Sequence, residues 1–257
     1  FLQRHGIHYL LSVDGDQETH DAHRRLLGGG SSYGLLFPER FRMAKSYQPW
    51  QGTRMTVRPD TVPKLAHNVK HLFALGINQF LIGPATGMTW TADDFAAYEE
   101  QIVELIGFDD EMKREKAPFR MSLLEQDLGE PLGKQLNTWG CGAGKGRMAV
   151  DPSGNIYGCA KIIGIGNEEL LAEQRFGHVL RGITHPERRA RLADSTTEHR
   201  LKCAECELRA DCSGGCPATN LAHTGTVYEP APEECLLAAC IKRIKVRLAE
   251  RAAAESR

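Results

Sequence analysis

The residues of this chain best suited to chemistry are its eight cysteines, all of which lie in the second half. The first 140 residues contain none. Disulfide frameworks belong mainly to short secreted proteins, whereas this chain has 257 residues and shows no export-signal pattern. Thiolates gathered around a metal in a reducing cytoplasm are therefore the better interpretation. The eight are Cys141, Cys159, Cys203, Cys206, Cys212, Cys216, Cys235 and Cys240.

Seven of the cysteines form a defined pattern of spacings. A Cys-x12-Gly-x4-Cys segment, with Gly154 as its glycine, precedes a Cys-x2-Cys-x5-Cys-x3-Cys run and one distal cysteine. Two thiolates separated by two residues reach one metal centre because a tight turn presents both sulfurs on the same side. Four thiolates suit a closed zinc site as well as a [4Fe–4S] cluster, so both metals stay open. The x5 and x3 spacings, in place of a second x2, slightly favour iron and sulfur.

These cysteines must be positioned by secondary structure, and the first half of the chain has the pattern of an α/β fold. Apolar or β-favouring runs at residues 7–13, 53–58 and 78–82 predict strands. Helical patterns at 63–75 and from Thr91 onward separate and follow them. Strands that alternate with helices predict parallel βα units, and three strands are too few for a closed eight-stranded barrel.

The second half predicts an irregular, cysteine-rich domain. Residues 146–159 are typical of a β-hairpin whose turn is formed by 151–154, Asp-Pro-Ser-Gly. Because the hairpin reverses the chain, it can bring Cys141 towards Cys159. Residues 160–235 are rich in glycine and cysteine and predict loops, and residues 236–255 predict a basic amphipathic helix.

The composition excludes two classes of partner. Lys and Arg number 32 against 33 Asp and Glu, so the net charge of −1 excludes nucleic-acid binding by bulk positive charge. No apolar run approaches the roughly 18 residues that cross a membrane. The terminal basic helix lacks the aromatic anchors of a membrane-surface helix. We therefore expect no nucleic-acid and no membrane partner.

The seven-cysteine pattern resembles the SPASM domain of radical S-adenosylmethionine (radical SAM) enzymes, over roughly residues 141–235. In that family the domain holds two auxiliary [4Fe–4S] clusters with interleaved ligands. The ligand sets that the resemblance implies are Cys203, Cys206, Cys212 and Cys235 for one cluster, and Cys141, Cys159 and Cys216 for the other.

The eighth cysteine, Cys240, lies outside that pattern. On a helix it would point some 140° away from Cys235, so the two should not serve one cluster. Cys240 could be the fourth ligand of the second cluster. The favoured alternative is a small buried hydrophobic residue, which leaves one iron open for substrate or water.

The first half resembles the fourth-strand region of the radical SAM barrel. The resemblance rests on residues 12–15 (SVDG), 20–24 (HDAHR) and 28–33 (GGGSSY), and it implies that Ser12, Asp14 and Arg24 bind S-adenosylmethionine. An acidic residue at the carboxyl end of a barrel strand faces the mouth where ligands bind, and an arginine can pair with a carboxylate in a fork. Three residues on one side of the next strand could also face the cofactor: Arg54, Thr56 and Arg58.

The resemblance implies an α/β fold with irregular parts. A partial (β/α) radical SAM barrel is followed by a SPASM domain with a β-hairpin and a C-terminal helix. We expect the C-terminal part of the barrel at 1–106 and a bridging region at 107–140. The auxiliary iron–sulfur domain is expected at 141–240 and the C-terminal helix at 241–257.

Two departures from the family limit what this chain can do. The CX3CX2C motif that binds the cluster cleaving S-adenosylmethionine is absent, since no cysteine precedes Cys141. We therefore expect that the N-terminal part is missing, that this chain alone is inactive, and that S-adenosylmethionine and a third [4Fe–4S] cluster belong to the full-length enzyme. In addition, Ala160 stands where anaerobic sulfatase maturases have a catalytic Asp, which argues against formylglycine formation.

The function implied is the C-terminal portion of a radical SAM/SPASM maturase. The run around Cys141 and Cys159 is more similar to maturases that form thioether crosslinks, namely the quinohemoprotein amine dehydrogenase maturase and those of CXXX-repeat peptides. The expected partners are a peptide or protein substrate and an electron donor such as a ferredoxin or flavodoxin, in the cytoplasm. The alternative is a non-catalytic iron–sulfur or zinc protein used for electron transfer or binding, since CX3CX2C is absent.

Overall fold

The structure is a computed structural model, and it describes residues 1–125, 141–194, 200–209 and 212–255. The chain divides into two compact units, Phe1–Asp127 with Ile244–Arg257, and Leu128–Arg243. No helix in the described ranges is long and apolar enough to cross a membrane.

The first unit contains a four-stranded parallel sheet in the order β1-β2-β3-β4, with helices between consecutive strands. Leu10 lies opposite Gly52, Gly52 opposite Gln79, and Gln79 opposite Arg120. The parallel βα arrangement predicted from the sequence is confirmed. The elements are β1 (Leu10–Leu11), α1 (Gln17–His23), α2 (Ser32–Leu36), α3 (Glu39–Tyr47), β2 (Gly52–Val57), a 3₁₀ turn (Val62–Lys64), α4 (Leu65–Ala74), β3 (Gln79–Pro84), α5 (Ala92–Arg114) and β4 (Arg120–Met121).

The strand predicted at residues 7–13 is shorter than expected, because only Leu10 and Leu11 pair with β2. Beyond these two residues, the side chain of Thr53 bonds to the backbone of the first strand in place of strand pairing. Thr53 Oγ1 accepts the N–H of Val13 at 3.2 Å and donates to the carbonyl of Leu11 at 3.0 Å. A fourth strand, β4, lies in the predicted bridging region, whose remaining part, 126–140, lies outside the described residues.

Local signals explain the two long helices of this unit. Thr91 and Asp94 form a capping box at the start of α5, each side chain bonding the other's backbone N–H. Gly76, with φ +102°, ends α4 in a conformation that side chains rarely adopt. The core between helices and sheet is apolar and fully buried at Val69, Leu72, Ile77, Phe80, Ile102 and Leu105.

The second unit is built around a small antiparallel sheet in the order β5-β6-β7-β8. The predicted hairpin is confirmed, with Gly154 at φ +86° in its turn. The loop prediction for 160–235 is wrong, because that stretch contains several short helices. The elements are β5 (Ala149–Val150), β6 (Asn155–Tyr157), α6 (Ala160–Ile163), α7 (Glu168–Gln174), β7 (Gly177–His178), β8 (Gly182–Ile183), α8 (Pro186–Ala193), a 3₁₀ turn (Leu201–Cys203), α9 (Pro217–Thr224) and the first part of α10 (Pro232–Glu255).

The C-terminal helix α10 begins at Pro232, four residues before the predicted start at 236. Proline at the first helical position and acidic residues in the first turn are favourable there, because that end leaves N–H groups without helical partners. Its last part packs within the first unit through Arg247, which contacts Glu99 at 3.2 Å, and Arg251, which contacts Asp109 at 3.3 Å.

Candidate functional site

Four cysteines line one cavity in the second unit. Cys203 ends the 3₁₀ turn, and Cys235 lies in the first turn of α10. Gly214 and Gly215 complete part of the wall, with φ angles of +84° and +78°. The four cysteines are Cys203, Cys206, Cys212 and Cys235.

The thiols around this cavity act on one another electrostatically. Burial raises the pKa of the Cys203 thiol, and the thiols of Cys212 and Cys206 add to the rise while Arg200 opposes it. Desolvation is also the main cause of the raised pKa of Cys235, and the other three cysteines around the cavity contribute further. Because thiolates repel one another, a bound cation displaces their protons and relieves the repulsion.

The four cysteines can be compared with the donor sets of a zinc ion and of an iron–sulfur cluster. Within residues 1–125, 141–194, 200–209 and 212–255, no three His, Cys, Asp or Glu side chains lie close enough together to hold a metal ion. A closed zinc site needs four sulfurs about 2.3 Å from one ion. The four thiols line one cavity and together offer the four sulfur donors that such a site uses. Four cysteine sulfurs are also the usual donor set of an iron–sulfur cluster.

A second group of three cysteines lies against the hydrophobic core of the same unit. Cys141, Cys159 and Cys216 all pack on the cluster that includes Tyr157 and Phe176. Burial raises the pKa of Cys159, the backbone N–H groups of the following helix lower it, and the thiols of Cys216 and Cys141 raise it again. The three cysteines implied as the second ligand set are therefore electrostatic neighbours.

A short glycine linker joins the two cysteine groups, since only three residues separate Cys212 from Cys216. The N–H of Gly214 donates to Cys212 Sγ at 3.3 Å, and the N–H of Cys216 donates to Glu234 Oε2 at 3.0 Å. Asn220 Nδ2 donates to the carbonyl of Gly214 at 2.9 Å. The backbone conformation between the two groups is thus held by side chains from α9 and α10.

Cys240 is fully buried on α10 and is not part of the cavity wall. The structure therefore places it apart from Cys235, as the helical spacing predicts. Its burial matches the interpretation as a small hydrophobic residue, and its role towards a metal stays a prediction.

In the first unit, Asp14 and Arg24 form a two-bond ion pair just beyond the carboxyl end of β1. Arg24 Nε donates to Asp14 Oδ2 at 2.5 Å, and Nη2 donates to Oδ1 at 3.1 Å. Thr56, near the end of β2, donates its N–H to Asp14 Oδ1 at 2.9 Å. The Asp14 side chain is only 9% exposed, and that of Arg24 is 34% exposed.

His20 ties the residues around this ion pair together. Its Nδ1 accepts the N–H of Asp14 at 3.3 Å, so the neutral ring carries its proton on Nε2 and donates it to Ser32 Oγ at 2.9 Å. The Ser32 hydroxyl in turn donates to the carbonyl of Arg24. Burial lowers the pKa of His20, with the neighbouring Asp14 acting in the opposite direction, so the ring is neutral near pH 7.

The remaining predicted cofactor residues differ in their surroundings. Ser12 is exposed. On β2, Thr56 lies beside the ion pair, with Arg24 Nη2 3.5 Å from its Oγ1. Arg58 instead bonds Asp60 at 3.2 Å, and Arg54 lies against Gly83 of β3.

Comparison with solved structures finds a similar fold in anSMEcpe, an anaerobic sulfatase-maturating enzyme. Its native form with bound AdoMet matches with a TM-score of 0.72 at 16% identity, over 98% of this chain and 71% of that one. A hexahistidine-tagged form with bound AdoMet matches with a TM-score of 0.67 at 16% identity, over 95% and 65%. The chain has the fold of anSMEcpe.

Two further anSMEcpe structures contain AdoMet together with a peptide, Cp18Cys or Kp18Cys. Each matches with a TM-score of 0.66 at 18% identity, over 95% of this chain and 68% of that one. The chain thus spans about two thirds of the length of anSMEcpe. No protein-family profile and no curated protein sequence matches it.

Within this fold, two buried residues beside the candidate sites were not predicted. His20 belongs to a segment noted only for its resemblance to the radical SAM barrel, and its 3% exposure has no sequence signal. Arg200 precedes the Cys-x2-Cys run by three residues and is 1% exposed. An arginine in a polar segment normally predicts a solvated side chain, so only the structure shows this one to be buried.

Proposed function

We propose that this chain is the C-terminal portion of a radical SAM enzyme with a SPASM domain, which modifies a peptide or protein. The observation that carries the proposal is the single cavity lined by the four cysteines of one implied ligand set, within a chain that has the anSMEcpe fold. The proposed cofactors are two auxiliary [4Fe–4S] clusters in this chain. S-adenosylmethionine and a third [4Fe–4S] cluster belong to the full-length enzyme.

The four-cysteine cavity is the proposed site of the first auxiliary cluster. The second would be held by Cys141, Cys159 and Cys216, and a substrate thiolate or water would complete the set of four ligands. The Gly214 N–H that donates to Cys212 Sγ gives the first site a backbone hydrogen bond to sulfur, an interaction that influences cluster potentials. These residues bind and orient, whereas the clusters supply the redox chemistry.

The ion pair of the first unit is the proposed edge of the S-adenosylmethionine site, with Ser12 as a further contact. When bound with the third cluster in the full-length enzyme, S-adenosylmethionine would supply the radical chemistry. The Asp14 carboxylate offers acceptor oxygens at a strand end, where a parallel sheet binds ligands. It also fixes the guanidinium of Arg24, whose partly exposed face can pair with a ligand carboxylate. His20 holds the backbone of both residues.

A peptide is the proposed substrate class, because anSMEcpe, with the same fold, has been solved with bound peptides. Formylglycine formation is not proposed. Ala160 follows Cys159 at the start of α6, and a methyl side chain cannot accept a proton. A cysteine-bearing peptide that receives a thioether crosslink suits the open position of the second cluster. A cytoplasmic ferredoxin or flavodoxin is the proposed electron donor.

The competing function is a non-catalytic metal protein, and one observation favours it, namely the absence of CX3CX2C from this sequence. Anaerobic reconstitution with iron and sulfide distinguishes an iron–sulfur protein from a zinc protein. About eight irons per chain and a visible charge-transfer band support two [4Fe–4S] clusters. A colourless protein with two tightly bound zinc ions would refute the iron–sulfur assignment.

The enzymatic part of the proposal needs its own measurement. The full-length gene product should carry CX3CX2C in frame upstream of Phe1, and it should cleave S-adenosylmethionine under reducing conditions. A full-length protein without that motif, or one that holds iron but cleaves no S-adenosylmethionine, would support the non-catalytic alternative.

A further inference from the structure

Arg200 is the most deeply buried charged side chain of the described residues, at 1% exposure. Its Nη1 donates to the carbonyl of Ser213, inside the linker that joins the two cysteine groups. The guanidinium lies so close to the α-carbon of Gly214 that a side chain at that position would overlap it. A positive charge is thus held next to this linker and away from solvent, where electrostatic interactions are stronger than in water.

The surroundings of Arg200 include the wall of the four-cysteine cavity. Gly214, which contacts the guanidinium, also lines the four-cysteine cavity and donates its N–H to Cys212 Sγ. Burial lowers the pKa of Arg200, and the thiols of Cys203 and Cys212, both on the cavity wall, act in the opposite direction together with Tyr228. Lys202 offers a contrast in the same segment, since its side chain is 69% exposed and pairs with Glu229.

A cluster held by four thiolates is negatively charged, and one-electron reduction makes it more so. A fixed positive charge nearby stabilises the reduced form, and burial keeps that interaction from being screened by salt. Potentials of iron–sulfur clusters depend on net charge and on solvent exposure in this way.

We propose that the positive charge of Arg200 raises the reduction potential of the cluster held by the four-cysteine cavity. In this inference Arg200 acts on the chemistry only through the cluster. The electron that reduces the cluster comes from a low-potential donor, and dithionite serves as that donor in vitro. The inference rests on the proposed function, because it requires that this cavity bind an iron–sulfur cluster.

Three variants separate the charge of Arg200 from its hydrogen bond and its volume. Arg200→Gln keeps an N–H donor without the charge, Arg200→Met keeps much of the volume, and Arg200→Lys keeps the charge. Lys202→Met is the matched control, since it removes an exposed charge next to the same cysteine. Each protein is reconstituted with iron and sulfide, and its iron content and its dithionite titration by electron paramagnetic resonance are measured. A Cys159→Ser background identifies the signal of the four-cysteine cluster.

The expected result is a drop of about tenfold or more in the reduction equilibrium constant for Arg200→Gln and Arg200→Met, which is about 59 mV for one electron. Arg200→Lys and Lys202→Met should stay within about threefold of the parent, because one keeps the charge and the other removes a screened one.

Two results would overturn the inference while leaving the proposed function intact. One is an unchanged equilibrium constant in Arg200→Gln and Arg200→Met with full iron content. The other is loss of the cluster in all three Arg200 variants, which would make the residue a packing element. Failure of the parent protein to bind iron and sulfide would instead refute the proposed function itself.

Discussion

The carboxylate of Asp14 accepts the backbone N–H of Thr56 at 2.9 Å, and this contact joins the segment after β1 to the end of β2. The same carboxylate takes two bonds from Arg24, so one buried side chain organises three segments. The strand ladder between β1 and β2 is only two residue pairs long. The strand pairing between β1 and β2 is thus extended by side-chain contacts of the ion pair, which connect the segment after β1 to the end of β2.

Removing the cation of this pair should destabilise the protein more than neutralising the anion. Arg24→Leu leaves the Asp14 carboxylate buried and charged, and we expect a loss of roughly 1–3 kcal/mol of unfolding free energy, less than for a fully buried pair because Arg24 is partly solvated. Asp14→Asn should cost less, since the arginine left behind can reach water. Urea unfolding at neutral pH measures both.

The double variant tests whether the two residues act together. Asp14→Asn combined with Arg24→Leu should cost clearly less than the sum of the single changes, because both remove the same interaction. Strict additivity would show that the ion pair contributes nothing to stability.

The buried His20 predicts a loss of stability in mild acid. Its pKa is lowered by burial from an ordinary value of 6.5, so the unfolded chain binds a proton that the folded chain does not. The contribution of His20 to stability is therefore present above about pH 6.5 and is lost as the pH falls towards the folded-state pKa. The unfolding free energy, measured at several pH values from about 7.5 to about 5, should decrease as the pH is lowered below about 6.5.

His20→Gln is the matched control for that titration. Glutamine can accept the Asp14 N–H and donate to Ser32 but does not titrate, so the variant should lose part of the slope of stability against pH below 6.5. If the parent and the variant have the same slope, His20 is not responsible.

Elements whose signals are local can be predicted from the sequence. The helix that starts at Thr91 and the turn ending at Gly154 both use residue types that favour one conformation, and both are found. Helix α9 carried equally local signals, with Pro217 at its first position and Gly225 after its end. The glycine- and cysteine-rich composition around it nevertheless outweighs them and predicts a loop.

The burial of single polar residues could not be predicted in the same way. The sequence predicts both Asp14 and Arg24 near a cofactor. Their pairing with each other depends on where α1 ends, because Arg24 directly follows that helix. The burial of Arg200 depends on Gly214, which leaves room for the guanidinium because it has no side chain. Such features arise from tertiary packing, and no periodicity in the sequence encodes them.

The close approach of Gly214 and Arg200 makes a sharp prediction. Gly225 has a similar φ of +78° with open space around its α-carbon, so Gly225→Ala should cost only the left-handed backbone penalty of about 1–2 kcal/mol. Gly214→Ala, at φ +84°, must also displace the guanidinium. We expect it to cost at least about 1 kcal/mol more in unfolding free energy, as overpacking does, and to lower iron content after reconstitution. Equal costs for the two variants would contradict the contact.

The two cysteines of α10 should respond differently to removal. Cys235 lines the four-cysteine cavity, whereas Cys240 is fully buried on the same helix and outside the cavity wall. After anaerobic reconstitution, Cys235→Ala should hold about four irons per chain in place of about eight, because one cluster loses a ligand. Cys240→Ala should keep the full complement and serves as the control for a cysteine lost from α10. Loss of iron in Cys240→Ala would instead assign that thiol as the fourth ligand of the second cluster and close the position proposed for the substrate.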